Sequence, residues 1–145
     1  MISAHSAGGH LAAMVLWAAA AAPCLASVVA VSGLFELDDV RCCYANEALQ
    51  LTEAHVAQCS PTTLLRHPAV AGPVLRACPV LVAMAQHDTA SFRAQSVVFA
   101  DLLRAVDAPV TFVDLADRDH FDIVERLRFP NDEFTRVVMQ FVGLA

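Results

Sequence analysis

At 145 residues with 57% apolar side chains, the chain is long enough to bury one real core, and it reads as a single domain over 1–145. Nine arginines, no lysine and 15 acidic residues give a formal net charge of -6 with no basic cluster, which argues against nucleic acid as a partner. Five cysteines, Cys24, Cys42, Cys43, Cys59 and Cys78, show no C-x-x-C spacing; neither a disulfide framework nor a zinc site is expected, and they read as reduced thiols filling a cytosolic interior.

In chain order, Ile2 to His5 is the end of a strand that runs into a turn at Ser6. Ser6 lies between the small residues Ala4 and Gly8, directly before an Ala/Leu-rich run. That is how a strand-to-helix elbow presents a nucleophile: the turn is strained, so its neighbours must be small, and the first helical N–H groups face a developing oxyanion. A helix is predicted from about Ala7 to Ala21, with Leu11, Met14, Val15 and Ala18 recurring at helical spacing, Trp17 at one edge and Pro23 as its stop.

Leu11 to Phe35 carries no charge, so a signal peptide and a membrane span both have to be weighed. Leu11 to Ala22 is a passable signal core and Leu25-Ala26-Ser27 resembles a cleavage site. Residues 1–10, however, hold no Lys or Arg, and cleavage would remove the elbow. As a span the segment is interrupted by Pro23 and changes from Ala-rich to Val-rich; a buried helix followed by a buried parallel strand, Ser27 to Val31, fits better. The expectation is a cytoplasmic protein with no membrane partner.

Residues 35–76 contain short helical pieces and no strand: Asp38-Asp39-Val40, Asn46 to Leu51, Thr52 to Gln58 opened by a Thr N-cap, and Pro61 to His67. They are expected to form an insertion of helices and loops over one end of a sheet, with Tyr44, His55 and His67 as surface or wall residues. Pro79 to Ala85 is the next buried strand, leading to Gln86-His87-Asp88. Ser91 to Val106 is an amphipathic helix with Val97, Val98, Leu102 and Leu103 inward and Arg93, Asp101 and Arg104 outward. Val110 to Leu115 is a further strand, followed by the loop Asp117-Arg118-Asp119-His120, a helical Phe121 to Leu127, and a last helix from about Asp132 to Val142. Strands alternating with helices imply an α/β fold with a mainly parallel sheet and flanking helices.

Reactive residues of open parallel sheets collect beyond the carboxyl ends of strands. Ser6, Asp88 and His120 each fall at such an end, in the chain order Ser, Asp, His that marks an α/β-hydrolase. The chemistry then assigns Ser6 as nucleophile, His120 as base and Asp88 as the acid that fixes the imidazole tautomer. His5 and His10 are rivals for the base, but neither lies where that fold carries it, and both are taken as packing or pocket residues.

The sequence resembles the kynurenine formamidases (arylformamidases) of the α/β-hydrolase superfamily. The similarity runs through His5 to Met14, Val31 to Leu37, Asn46 to Thr52, Ser60-Pro61, Gln86-His87-Asp88 with Phe92 and Gln95-Ser96, and Asp119 to Glu125. The resemblance implies hydrolysis of N-formylkynurenine, a small-molecule substrate, to kynurenine and formate, with no metal or organic cofactor. It assigns Ser6, Asp88 and His120 as the triad and the Ala7 N–H as an oxyanion donor. Ala4 stands where the family usually has glycine. Family members also carry about as much chain again upstream, with several strands and a His-Gly-Gly-type loop. The expectation is thus a partial fold, the C-terminal half, with a half-sheet of three or so strands and impaired activity. Its further partner would be a second copy of the chain or a protein supplying the other half. A carboxylesterase, or an inactive fragment acting as an interaction subunit, are the alternative readings.

Overall fold

A computed structural model of the chain describes residues 1–18, 25–67 and 73–144. Four parallel strands, β1 (Ile2–His5), β2 (Val28–Val31), β3 (Val80–Ala85) and β4 (Val110–Leu115), lie side by side in that order. The sheet is wider than the three or so strands expected, because Ile2–His5 pairs along its whole length with Val28–Val31. Parallel neighbours need crossovers. These are α1 (Ala7–Ala18), then the series α2 (Asp38–Arg41), α3 (Asn46–Leu49), α4 (Glu53–Cys59), α5 (Pro61–Leu65) and α6 (Pro73–Ala77), and finally α7 (Ala90–Ala105). After β4 come α8 (Asp122–Glu125), one 3-10 turn (Arg126–Arg128) and α9 (Glu133–Phe141).

Every residue of β2 and β3 is buried. Alternate side chains point to opposite faces: Val28, Ala30, Val80 and Val82 pack with Leu16 of α1 and Phe99 and Leu103 of α7. Val29, Val31, Leu81 and Ala83 pack with Ile123 of α8 and Phe134 of α9. Helices on both sides explain why these strands read as unbroken apolar runs. Ile2, Val28, Val80 and Val110 stand level in the register, so the carboxyl ends of all four strands open at one edge of the sheet. Among the described residues no helix is long and apolar enough to cross a membrane.

Two helices present a different face to the core than their large apolar residues suggest. In α1 the buried residues are Gly9, Ala12, Ala13 and Leu16, while Leu11, Val15 and Trp17 are exposed. The cause at the start of the helix is close approach: a Cβ on Gly9 would stand 2.7 Å from the Gly33 Cα, so no side chain fits beneath the first turn of α1, and Leu16 fills the space further along. In α7 the inward stripe is Gln95, Ser96, Phe99, Ala100 and Leu103, leaving Val97 and Val98 exposed. Phe99 stacks on Phe35 at 4.0 Å, and Gln95 accepts the N–H groups of Phe35 and Glu36, both at 2.9 Å. A polar residue at the head of the stripe hides its inward face from a hydrophobicity pattern. The thiols also depart from expectation: Cys78 is buried, Cys59 half-buried, and Cys42 and Cys43 exposed on the helical series. The expected helix end at Ala21 with its stop at Pro23, and Cys24, lie outside the described residues.

Gly9→Ala is expected to lower stability by about 1–3 kcal/mol, because the new methyl meets backbone that cannot swing aside; this outweighs the roughly 1 kcal/mol of helix propensity that alanine adds. Gly8→Ala is the control, since its Cβ would sit 3.6 Å from the Ala4 Cβ, an ordinary contact. Urea midpoints should fall for the first variant and hold or rise for the second.

Candidate active site

Ser6 follows β1 directly and holds φ at 57°, a left-handed conformation that costs a non-glycine residue about 1–3 kcal/mol. Backbone bonds sustain it: the Ser6 N–H donates to the Val31 carbonyl at 3.0 Å, and the Ser6 carbonyl accepts from Gly9 at 2.9 Å and Leu34 at 3.2 Å. The elbow is thereby tied both to its own helix and to the loop after β2. Ala4, where the resemblance leads one to expect glycine, is partly buried and packs against the core. Ala7 opens α1, so its N–H belongs to the first helical turn, whose donors have no partner within the helix.

Asp88 lies just past β3, and its side chain is fully buried. One carboxylate oxygen, Oδ2, accepts from the Ser32 hydroxyl at 2.6 Å and from the Ala85 N–H at 2.9 Å. The other, Oδ1, stands 2.6 Å from His120 Nδ1. His120 ends the loop after β4, and its Nε2 is 3.0 Å from Ser6 Oγ. A carboxylate only accepts, so Nδ1 carries the ring proton and Nε2 is left to accept from the serine hydroxyl. The imidazole, 23% exposed, stands between a buried acid and a half-buried serine. Phe92, in the first turn of α7, meets it edge-on at 4.9 Å, and the exposed Phe121 does so at 5.4 Å.

The loop that carries His120 is held from several sides. Asp117 N–H donates to Gln86 Oε1 at 2.8 Å, and His87 N–H donates to the Arg118 carbonyl at 2.8 Å. Arg118 donates to the buried Asp132 at 2.8 Å; Arg126 reaches the same oxygen at 3.0 Å, while Asp132 caps α9 through the Phe134 N–H. Burial raises the Asp132 pKa, but Arg126, the Phe134 N–H and Arg118 together outweigh it and hold the carboxyl below the ordinary range. At the next strand end Arg93 forks onto Asp114 at 2.8 and 2.9 Å and donates to the Ala85 carbonyl, tying β3 to β4. The hydrogen bond from Arg93 is the main reason that the Asp114 carboxyl also titrates low.

All three sequence-chosen residues, Ser6, Asp88 and His120, therefore meet in one hydrogen-bonded chain. His10 does not compete for the base: its Nε2 donates to the Cys59 carbonyl at 2.8 Å, tying α1 to the end of α4. His5 lies behind His120 rather than before Ser6, with its Nε2 on the His120 main-chain carbonyl at 2.6 Å. Ser32, Gln95 and the Arg118–Asp132 pair have no role in the sequence reading. Ser32 left a signal, a hydroxyl ending the β-branched run of β2 at the reactive edge of the sheet, and Gln95 left one as part of a motif that carries the resemblance. Among the described residues no three His, Cys, Asp or Glu side chains converge as metal ligands would.

A parallel sheet covered by helices on both faces, with a serine at the strand-to-helix elbow after β1, an acid past the end of β3 and a histidine past the end of β4, is the α/β-hydrolase fold. Solved structures agree: esterase B from Lactobacillus rhamnosis superposes with a TM-score of 0.70 at 18% identity, over 99% of this chain and 52% of that one. Carboxyl esterase 2 from Tuber melanosporum gives 0.65 at 13% identity, over 98% and 51%. By sequence the chain is similar to kynurenine formamidases. It is 35% identical over 143 residues to that of Danio rerio and 33% over 148 to that of Salmo salar, each match covering 96% of this chain and 48% of the relative. The chain thus spans about half the length of the relatives it matches. No protein-family model matches it.

Proposed function

We propose that this chain carries the nucleophile, base and acid of a serine hydrolase that cleaves the formamide bond of N-formylkynurenine. Ser6 Oγ attacks the formyl carbon while His120 Nε2 takes its proton, and Asp88 stabilises the imidazolium that forms. The tetrahedral intermediate collapses with loss of the C–N bond, and His120 returns the proton to the aryl nitrogen, releasing kynurenine. Water then attacks the formyl ester with His120 again as base; formate leaves and Ser6 regains its proton. The Ala7 N–H is the oxyanion donor that the elbow contributes. In this reading residues 35–76 are a helical cap on a single domain, tethered to the elbow helix by His10.

One observation supports the reading above the others: a single imidazole stands within hydrogen-bond distance of both Ser6 Oγ and Asp88 Oδ1, the arrangement that acyl transfer requires. The formamide specificity rests on the homologues, which are kynurenine formamidases by name. Incubating the chain with N-formylkynurenine and, in parallel at equal concentration, with a short-chain aryl ester tests it. Formamide turnover exceeding ester turnover is the expected result. Ester turnover alone would replace the reading with a carboxylesterase, and labelling of Ser6 without turnover of either would leave a chain that is not itself a formamidase.

A further inference from the structure

We propose that His5 is a positioning residue for the base, its Nε2–H holding the main-chain carbonyl of His120 while its ring backs the His120 imidazole. The inference rests on the reading of His120 as the base. His5 is the last residue of β1 and adjoins Ser6, so one short stretch of rigid sheet edge carries both the nucleophile and the group that holds the base. The hydrogen bond is 2.6 Å long and joins residues 115 apart in sequence. Its acceptor is a carbonyl, so Nε2 of His5 must bear a proton. The two rings stand 4.6 Å apart at 45°, with Phe92 against another side of His120 at 4.9 Å. The other anchors of this loop hold Asp117 and Arg118 before His120 and, through the Asp119 carboxylate, the Phe121 and Asp122 N–H groups after it; the His5 bond acts at the residue whose ring must span Ser6 and Asp88.

Charge favours the same role. Burial lowers the His5 pKa; the hydrogen bond to the His120 carbonyl and the Asp88 charge raise it, the His120 charge lowers it, and the balance is downward. A neutral His5 donates its hydrogen bond without setting a cation 4.6 Å from an imidazole that must itself become positive during acyl transfer. A lysine or arginine at this position could hold the carbonyl equally well but would oppose the step it serves.

Two substitutions separate positioning from filling space. His5→Phe keeps a ring and loses the donor; His5→Gln loses the ring and keeps an amide nitrogen at similar reach. The expected result is that His5→Phe slows fluorophosphonate acylation of Ser6 by about ten- to a hundredfold, the scale of a base misplaced by up to an ångström. It should also shift or broaden the low-field proton resonance of the His120–Asp88 hydrogen bond. His5→Gln should retain most of the rate and the resonance. A His5→Phe protein with native rate and resonance, or one in which Phe and Gln are equally impaired, would overturn the proposal. If His5→Phe does not fold, His5→Asn, whose amide falls short of the carbonyl, takes its place against Gln under the same criteria. The resonance reads His120 without any turnover, so loss of the positioning role and failure of the formamidase reading give different results.

Discussion

Ser6→Ala is expected to abolish covalent labelling by a fluorophosphonate and to lower any hydrolytic kcat by up to about a millionfold, the loss seen when the nucleophile of a serine triad is removed. The oxygen that attacks is gone, and neither His5 nor His120 offers an equivalent: His5 Nε2 is engaged with a carbonyl and His120 Nδ1 with Asp88. The fold should survive. Alanine loses one hydrogen bond of a half-buried hydroxyl, worth about 0.5–1.5 kcal/mol. The backbone bonds that hold the elbow, from Ser6 N–H to Val31 and from Gly9 and Leu34 to the Ser6 carbonyl, do not involve the side chain. Intact mass spectrometry should show a single adduct on the native chain and none on the variant, with melting temperatures within a few degrees. An adduct persisting on Ser6→Ala would mean that another residue is the nucleophile, and the triad assignment would fall.

Much of this site is legible in the sequence, and physical causes separate the legible part from the rest. Strand ends are visible because β-branched runs stop abruptly at polar or small residues, as Val31 gives way to Ser32-Gly33 and Ala85 to Gln86-His87-Asp88. Parallel strands in register then bring those ends to one edge, so residues far apart in the chain meet for a reason that sequence order already implies. The inward faces of α1 and α7 are less legible, because they depend on what each helix meets. Gly9 faces inward since Gly33 lies against it, and Gln95 faces inward since two N–H groups after β2 need an acceptor. Neither partner is within twenty residues, and no periodicity encodes it. The supports of the triad are hidden for the same reason. Ser32 and His5 act across 56 and 115 residues, through single hydrogen bonds that leave no local pattern. Residue types and strand ends therefore foretold which groups do chemistry, but the groups that aim them became visible only with the fold.

Asp88→Asn carries the second largest expected effect, a loss of about ten-thousandfold in acylation rate with the fold intact, and the structure gives the reason in detail. Oδ2 of Asp88 accepts two hydrogen bonds, from the Ser32 hydroxyl and from the Ala85 N–H. The backbone N–H cannot turn away, so an asparagine must place its carbonyl oxygen there and its NH2 group where Oδ1 now stands. That NH2 then faces His120 Nδ1, which can no longer donate and must accept instead. The ring proton moves to Nε2, where it points at Ser6 Oγ, and the nitrogen that should take the serine proton is already protonated. The nucleophile, the base and their distances would all survive while the reaction does not. Second-order labelling rates, compared with those of the native chain and of Ser6→Ala, measure the effect, and circular dichroism checks the fold. Loss of the low-field Nδ1 proton from the spectrum would identify the tautomer as the cause. A variant that kept its acylation rate within tenfold of native would show that Asp88 does not set the tautomer of His120, and the acid of this site would have to be sought elsewhere.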